Sequence, residues 1–235
     1  GVVVGPSKAV AQARNPVLTA KPPGDGTPMP RTADGRADLS GFWNKASHPN
    51  TSAPVEPLPF TEDGLRAFNN VANLIDPTGT CLFPGIPRVN SSPYPMEIIQ
   101  LHDRVVFLYE YMHNFRVVWT DGREHRPTWP TTLMGDPVGR WEGDTLVVDT
   151  RNFTDHRSPY QNGIPSGSQK HVVERYTLTE DGTQMVVDFM LEDPEYILEP
   201  MTHIRELIYA PQADMSRFNC DLESTRRFLP QGPVP

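Results

Sequence analysis

The sequence predicts an all-β fold in which short antiparallel strands close into a barrel. Three observations predict it. From about residue 96 onward, runs of β-branched and aromatic residues alternate with turn signals such as Asp121-Gly122. Only one segment shows the spacing of an amphipathic helix, and no internal repeat is evident. The 26 prolines and 17 glycines suit many tight turns and irregular arms.

Strand signals fill residues 96–210, which we interpret as the barrel domain. Tight turns such as His102-Asp103 join successive strands, and such a meander closes into a lipocalin-like (calycin) barrel. A barrel of about eight strands holds one small ligand. The predicted strands cover residues 96–101, 104–115 with a continuation to 120, 138–141, 145–150, 171–179, 183–191 and 197–209.

The segments on either side of the barrel are predicted to be arms. Residues 14–95 form an extended Pro- and Gly-rich arm, with one helix at about residues 61–75. Thr61 suits the N-cap of that helix, and Asp76-Pro77 ends it. Its apolar face is predicted to carry Leu65, Phe68, Ala72 and Ile75. Residues 211–235 form a C-terminal arm, and the loop 151–169 is expected to cover one end of the barrel.

Charge and hydropathy exclude two classes of partner. The formal net charge is -8 and no basic stripe appears, so nucleic acid is not an expected partner. No apolar run approaches the roughly 18 residues of a membrane span, so none is predicted. The chain carries no signal for an oligomeric state.

The first residues and the two cysteines point to export. Residues 1–13 are interpreted as the residual tail of a signal peptide, because Ala11-Gln12-Ala13 is an A-x-A cleavage pattern behind a short apolar stub. We therefore expect a periplasmic or secreted protein whose mature chain begins near Arg14. Two thiols in an exported protein usually pair, so Cys81 and Cys220 are expected to form a disulfide.

An aromatic stripe suggests where a ligand binds. If residues 105–119 stay extended, alternate side chains share a face. The odd positions are Val105, Phe107, Tyr109, Tyr111, His113, Phe115, Val117 and Trp119. The opposite face carries the polar residues Glu110, Asn114 and Arg116. The sequence leaves open which of these two faces lines the interior of the barrel.

Two further motifs place titratable groups on extended segments. After the turn at Asp121-Gly122, Arg123 suits a carboxylate clamp and His125 an acid or base, although an Arg–Asp lattice that holds loops is the alternative. Further along, Glu174 and Tyr176 share a strand face and suit a buried acid–base pair. In the alternative, Glu174 forms an internal salt bridge with Arg116 or Arg205.

Cofactor and metal signatures are absent from the sequence. None of the seven histidines lies in an HxH or HExxH pattern, although His113, His171 and His203 on separate strands are the natural trio for a metal. No P-loop, dinucleotide fingerprint or nucleophile elbow occurs, and residues 163–167 match the elbow only loosely. We therefore expect no cofactor, no metal and no serine hydrolase.

Five segments of the chain carry recognisable motifs. They are PRTADGRADLSGFW at 30–43, CLFPGIPR at 81–88, TDGREH at 120–125, GRWEGDTLVVDT at 139–150 and HVVERY at 171–176. Together they resemble a large family of exported bacterial proteins of uncharacterised function. The resemblance spans roughly residues 30–225 and implies export and a β-rich fold, but no particular reaction.

Two function classes follow from the stripe and its titratable groups. The first is a cofactor-independent isomerase, dehydratase/lyase or cyclase that acts by general acid–base catalysis on a small hydrophobic, cyclic or aromatic compound. The alternative is a non-catalytic periplasmic binder of a hydrophobic small molecule. The candidate catalytic residues are His113, His125, Glu174 and Tyr176. The predicted substrate-binding residues are Phe107, Tyr109, Tyr111, Phe115, Arg116, Arg123, His171 and His203.

Overall fold

The chain forms a closed barrel of nine strands in the computed structural model, which describes residues 28–46, 59–70, 76–155, 159–160 and 164–225. Neighbouring strands are antiparallel, except that β4 and β5 meet in parallel through Trp119 and Val138. The predicted all-β, lipocalin-like barrel is therefore confirmed. The strands are β1 (Gly41–Lys45), β2 (Met96–Gln100), β3 (Arg104–Tyr109), β4 (Asn114–Trp119), β5 (Asp136–Glu142), β6 (Thr145–Arg151), β7 (His171–Leu178), β8 (Gln184–Glu192) and β9 (Met201–Tyr209).

Strand β1 comes from the segment that was predicted to be an arm outside the barrel. It pairs with both β2 and β9 and closes the sheet. Phe42 and Trp43 anchor it, since both side chains are buried and the Trp43 indole donates a 3.0 Å hydrogen bond to the Leu39 carbonyl. A five-residue strand with two adjacent aromatic residues shows no clear alternation, which explains why its sequence did not predict a strand.

The predicted helix begins where expected. Helix α1 spans Glu62–Asn69, and the Thr61 hydroxyl caps it by accepting a 2.9 Å hydrogen bond from the Gly64 N–H. The predicted apolar face is wrong at Leu65, which is 51% exposed, because Gly64 is the residue buried against the chain. Phe68 does pack inward, with its ring stacked on Phe60. Ala72, Ile75 and residues 1–13 lie outside the described residues. None of the described helices is long and apolar enough to cross a membrane.

The long strand predicted over residues 104–120 is wrong, because the chain turns back in its middle. A 3-10 turn at Tyr111–His113 ends β3 and starts β4, with positive φ at Met112 and His113. In the resulting hairpin, Phe107 lies opposite Arg116. Odd positions therefore face inward on β3, whereas even positions face inward on β4.

Two segments close over the barrel. The 3-10 turn Arg88–Ser91 places Val89 and Asn90 among the buried residues. The loop 151–169 adds the buried side chains of Tyr160 and Ile164 to the core, as expected of a covering loop. The Tyr160 ring meets Phe189 of β8 edge-on.

The expected disulfide is present. Cys81 and Cys220 are bonded, with their Cα atoms 5.7 Å apart and a sequence separation of 139. The bond ties the segment before β2 to the C-terminal arm, where the short helix α2 spans Leu222–Thr225.

Replacing the buried glycine of α1 should destabilise the protein. Gly→Ala in an exposed helix position normally stabilises by about 0.5–1 kcal/mol. A Cβ at Gly64, however, would lie 2.0 Å from the carbonyl oxygen of Tyr196. We expect Gly64→Ala to lower the free energy of unfolding by about 1–3 kcal/mol, measured by urea denaturation. Asn69→Ala, at an exposed position of the same helix, is the control. A Gly64→Ala variant as stable as the parent would contradict this docking of α1.

Candidate functional site

A buried ion pair crosses the barrel interior. Arg116 points inward from β4 and Glu174 points inward from β7, and Nη2 lies 2.6 Å from Oε2 with both side chains fully buried. The two strands are not neighbours in the sheet, so the contact joins different walls of the barrel. The Thr150 hydroxyl on β6 accepts a hydrogen bond from the same Nη2. The internal salt bridge that was one of the two alternatives for Glu174 is therefore present.

The other oxygen of Glu174 is held by two donors. The Tyr176 hydroxyl donates to Oε1 at 2.7 Å, and the Asn90 side-chain amide donates to the same atom. The Asn90 side-chain oxygen lies 3.4 Å from the Tyr109 hydroxyl, which donates to it. The predicted Glu174–Tyr176 pair is thus a buried hydrogen-bonded pair, and it coexists with the salt bridge.

The two phenols of this network remain protonated. Burial raises the pKa of Tyr176 far above its usual range, and the negative charge of Glu174 acts in the same direction. Burial also raises the pKa of Tyr109, against the opposing influence of Arg116. Both hydroxyls therefore act as hydrogen-bond donors near neutral pH.

The Arg116 guanidinium has hydrogen-bond donors that no acceptor among the described residues meets. Its Nε and Nη1 atoms are buried and have no hydrogen-bond partner among the described residues. Nη2 forms an ion pair with Oε2 of Glu174, and Oε2 likewise has no hydrogen-bond partner among the described residues. Buried donors without partners cost about 1–3 kcal/mol each. The guanidinium is thus able to donate further hydrogen bonds to oxygen atoms inside the barrel.

More cations line the same interior. Lys45 faces inward opposite Leu207, and its amine donates a 3.1 Å hydrogen bond to the Asn90 carbonyl. Arg205 faces inward from β9, opposite the buried Val187. Among the described inward-facing residues, Lys45 and Arg116 thus share a single carboxylate, Glu174. An anion would offset this excess of positive charge.

Two basic side chains of the interior, Lys45 and His203, have a lowered pKa. Burial lowers the pKa of Lys45 to about 7, Arg205 acts in the same direction, and Glu174 opposes both. Burial lowers the pKa of His203 to about 3, again with a contribution from Arg205. His203 is therefore neutral near pH 7, with its ring 5.2 Å from that of Phe189.

Half of the twelve predicted functional residues line the interior. The rings among them pack closely, with the centroids of Phe107 and Tyr176 only 5.1 Å apart. The six residues are Phe107, Tyr109, Arg116, Glu174, Tyr176 and His203. The sequence did not predict Lys45, although it follows the buried Trp43 by two positions. It carried no signal for Asn90, which enters the interior from a 3-10 turn.

The stripe residues beyond Tyr109 lie outside the interior, contrary to prediction. The exposed His113 sits on the hairpin, where Nε2 lies 3.0 Å from the Phe218 N–H and 3.1 Å from the Ser216 carbonyl. Tyr111 stacks on Tyr94 at 4.9 Å, and Phe115 is 62% exposed. The turn after β3 removes all three from the inner wall. Tyr111 and His113 contact the C-terminal arm at Phe218, so the predicted position of His113 in the interior is wrong.

Arg123 is also outside the barrel. Its guanidinium forms an ion pair with Asp121 at 2.6 Å and lies 3.8 Å above the Trp119 ring. This contact fits the Arg–Asp lattice that was the alternative for this motif.

His125 and His171, two of the predicted functional residues, meet on the outer face of the barrel. Nε2 of His125 and Nε2 of His171 lie 2.9 and 3.0 Å from the same oxygen of Asp149. The second nitrogen of His171 lies 2.7 Å from Glu192. Burial opposes ionisation of Asp149, but hydrogen bonds from the two histidines outweigh it and hold its pKa below the usual range.

The structure separates the proposed metal trio. His113 lies on a hairpin, His171 outside the barrel and His203 inside it, so these three side chains do not converge. Among the residues that the structure describes, no group of three or more His, Cys, Asp or Glu side chains is arranged to hold a metal ion.

Comparison with known proteins gives no further assignment. No protein-family model matches the chain, and no curated protein is significantly similar to it.

Breaking the interior ion pair should be strongly destabilising. Arg116→Met or Glu174→Gln leaves the other charge buried without its partner, which costs about 3–5 kcal/mol. In the double variant neither charge remains, so its loss should be smaller than the sum of the single losses. Urea denaturation of all four proteins measures this coupling. The exposed pair Arg66–Asp63 is the matched control, and there Arg66→Met should cost less than about 1 kcal/mol. Additive losses at Arg116 and Glu174 would contradict a direct interaction.

The depressed pKa of His203 should make the barrel sensitive to mild acid. An unfolded histidine takes up a proton near pH 6.5, whereas folded His203 does so only near pH 3. The unfolded state therefore binds more protons between these values, and stability falls as pH drops, by at most about 1.4 kcal/mol per pH unit. Unfolding free energies at pH 7, 6 and 5 should decline less in His203→Gln than in the parent. The exposed His102→Gln should decline like the parent; an identical decline in His203→Gln would refute the assignment.

Proposed function

We propose that the protein is a cofactor-independent enzyme that acts by general acid–base catalysis on a small, hydrophobic, cyclic or aromatic compound bound in the barrel. The observation that carries the proposal is the fully buried set of Arg116, Glu174 and Tyr176 among aromatic rings. A carboxylate, a protonated phenol and an underused guanidinium in a water-poor interior are the groups that proton transfer at a carbon atom requires. Isomerisation, dehydration and cyclisation all belong to this class.

The charges of the interior support a ligand with an anionic group. Arg116 has two buried N–H-bearing atoms without partners, and Lys45 and Arg205 add positive charge nearby. A ligand carboxylate would satisfy these donors and offset the charge, while its apolar part would pack on Phe107. The proposed substrates are therefore hydrophobic carboxylic acids.

Each residue of the set has a separate role in this proposal. Arg116 orients the substrate carboxylate. Glu174 accepts a proton from a carbon next to a carbonyl or double bond, and Tyr176 donates a hydrogen bond to the oxygen on which negative charge develops. The reaction ends when a proton returns to a different atom of the substrate.

A non-catalytic binder is the second candidate. The observation that favours it is that both oxygens of Glu174 are already engaged: Asn90 and Tyr176 donate hydrogen bonds to Oε1, and Arg116 forms an ion pair with Oε2. In a binding protein the same network would only fix the shape and charge of the pocket. Both candidates include export to the periplasm or beyond, which the disulfide supports because such bonds persist in oxidising compartments.

Ligand binding and proton transfer test the two candidates separately. Calorimetry should show that 2-naphthoate binds at least tenfold more tightly than the neutral 2-naphthalenemethanol, and that Arg116→Gln removes this preference. Solvent deuterium should enter C3 of 2-oxo-4-phenylbutanoate, followed by NMR, at a rate that Glu174→Gln lowers at least 100-fold. Tyr176→Phe should lower it less.

Three outcomes separate the alternatives. Arg123→Gln, on the outer surface, should bind and exchange like the parent protein. Naphthoate binding without exchange would favour the non-catalytic binder. Failure of both measurements, with near-ultraviolet circular dichroism showing a folded barrel, would refute both candidates.

A further inference from the structure

Lys45 stands out because lysine is rare in this chain and this one faces the barrel interior. The sequence holds only four lysines, at positions 8, 21, 45 and 170. Lys45 is the last residue of β1 and lies opposite Leu207, which is buried in the core. The residue as a whole is partly exposed.

The surroundings of the Lys45 amine tie it to the ion-pair network. The amine donates to the backbone carbonyl of Asn90, and the side chain of the same asparagine donates to Glu174. Arg205, whose positive charge repels the ammonium form, is two positions from the facing Leu207 on β9. One residue therefore connects the lysine to the carboxylate, without a direct salt bridge that would fix it as a cation.

The amine is available as a nucleophile near neutral pH. Burial and Arg205 lower the pKa of Lys45 to about 7, so about half of the amine is unprotonated there. An unprotonated lysine in such a site attacks carbonyl carbons.

We propose that Lys45 forms an imine with the carbonyl group of an oxo acid whose carboxylate is bound by Arg116. This proposal rests on the proposed function and narrows its substrate class from hydrophobic carboxylic acids to hydrophobic oxo acids. It makes Lys45 a catalytic residue in addition to Glu174.

The reaction balances without an oxidant or reductant. The Nζ electron pair bonds to the carbonyl carbon, the C=O π pair moves to oxygen, and a proton passes from nitrogen to that oxygen. A second proton converts the hydroxyl group to water, which leaves as the C=N bond forms. The cationic imine then draws electrons from the adjacent carbon, whose proton Glu174 accepts.

Lys170 is the natural comparison, because it is the other lysine among the residues that the structure describes. Its amine donates to the Ser166 hydroxyl at 2.8 Å and lies 4.6 Å from the Phe153 ring centre. Burial lowers its pKa to about 8, but the nearby carboxylates, Asp193 foremost, favour its charged form. A buried amine alone is therefore not enough for the proposal, and Lys170 should stay unmodified.

Reductive trapping tests the inference. The full chain is incubated with 2-oxo-4-phenylbutanoate and sodium cyanoborohydride, which converts an imine to a stable secondary amine, and the adduct is located by peptide mass spectrometry. We expect one adduct at Lys45, formed at least tenfold faster than any at Lys170. The trapping rate should rise between pH 6 and 8. Lys45→Arg should lose the adduct, whereas Lys170→Arg should keep it.

The outcomes distinguish this inference from the proposed function. Equal labelling of all lysines would mean unspecific reductive amination and overturn the proposal. If Lys45→Arg binds naphthoate and exchanges deuterium at the parent rate, the imine proposal is also overturned. The proposed acid–base function then stands. Absence of binding, exchange and adduct together would refute both. A Lys45→Met variant checks by circular dichroism that loss of the amine leaves the fold unchanged.

Discussion

The ion pair of Arg116 and Glu174 is the contact on which the interior of this barrel depends. Two fully buried opposite charges are tolerated only when each compensates the other and further hydrogen bonds help. Those bonds come from Thr150 on β6, from Tyr176 on β7 and from Asn90 in the 3-10 turn. The pair therefore fixes how β4 faces β7 and where the turn at 88–91 is seated.

The same interaction explains why only part of the site followed from the sequence. Strand β7 alternates cleanly, so its pattern placed Glu174 and Tyr176 on one buried face, and the structure agrees. The stripe failed because its turn uses Met112 and His113 at positive φ, where Gly or Asn would have given a signal. Arg116 consequently came to lie inside, on the face that the stripe had left as the alternative.

Contacts between residues far apart in the chain were the other limit on predicting the site from the sequence. Asn90 precedes the barrel strands and has no periodic pattern, and only the closure of the barrel brings it to Glu174. Lys45 faces inward because β1 completes the sheet between β2 and β9. The pairing of β1 with β9 joins residues more than 150 positions apart in the chain. Local propensity carries no information about such contacts, because they are decided by which strand ends meet.

The distribution of charge argues that the interior was built for more than its own stability. The chain as a whole is acidic, with a net charge of -8, yet the described inner wall places Lys45 and Arg116 beside one carboxylate, Glu174. Burial is the main cause of the lowered pKa of Lys45 and of His203, and repulsion from Arg205 adds to it. A fold selected for stability alone would replace at least one of these cations by an apolar side chain. A bound anion removes the conflict, because it supplies the missing countercharge and the acceptors that Arg116 lacks.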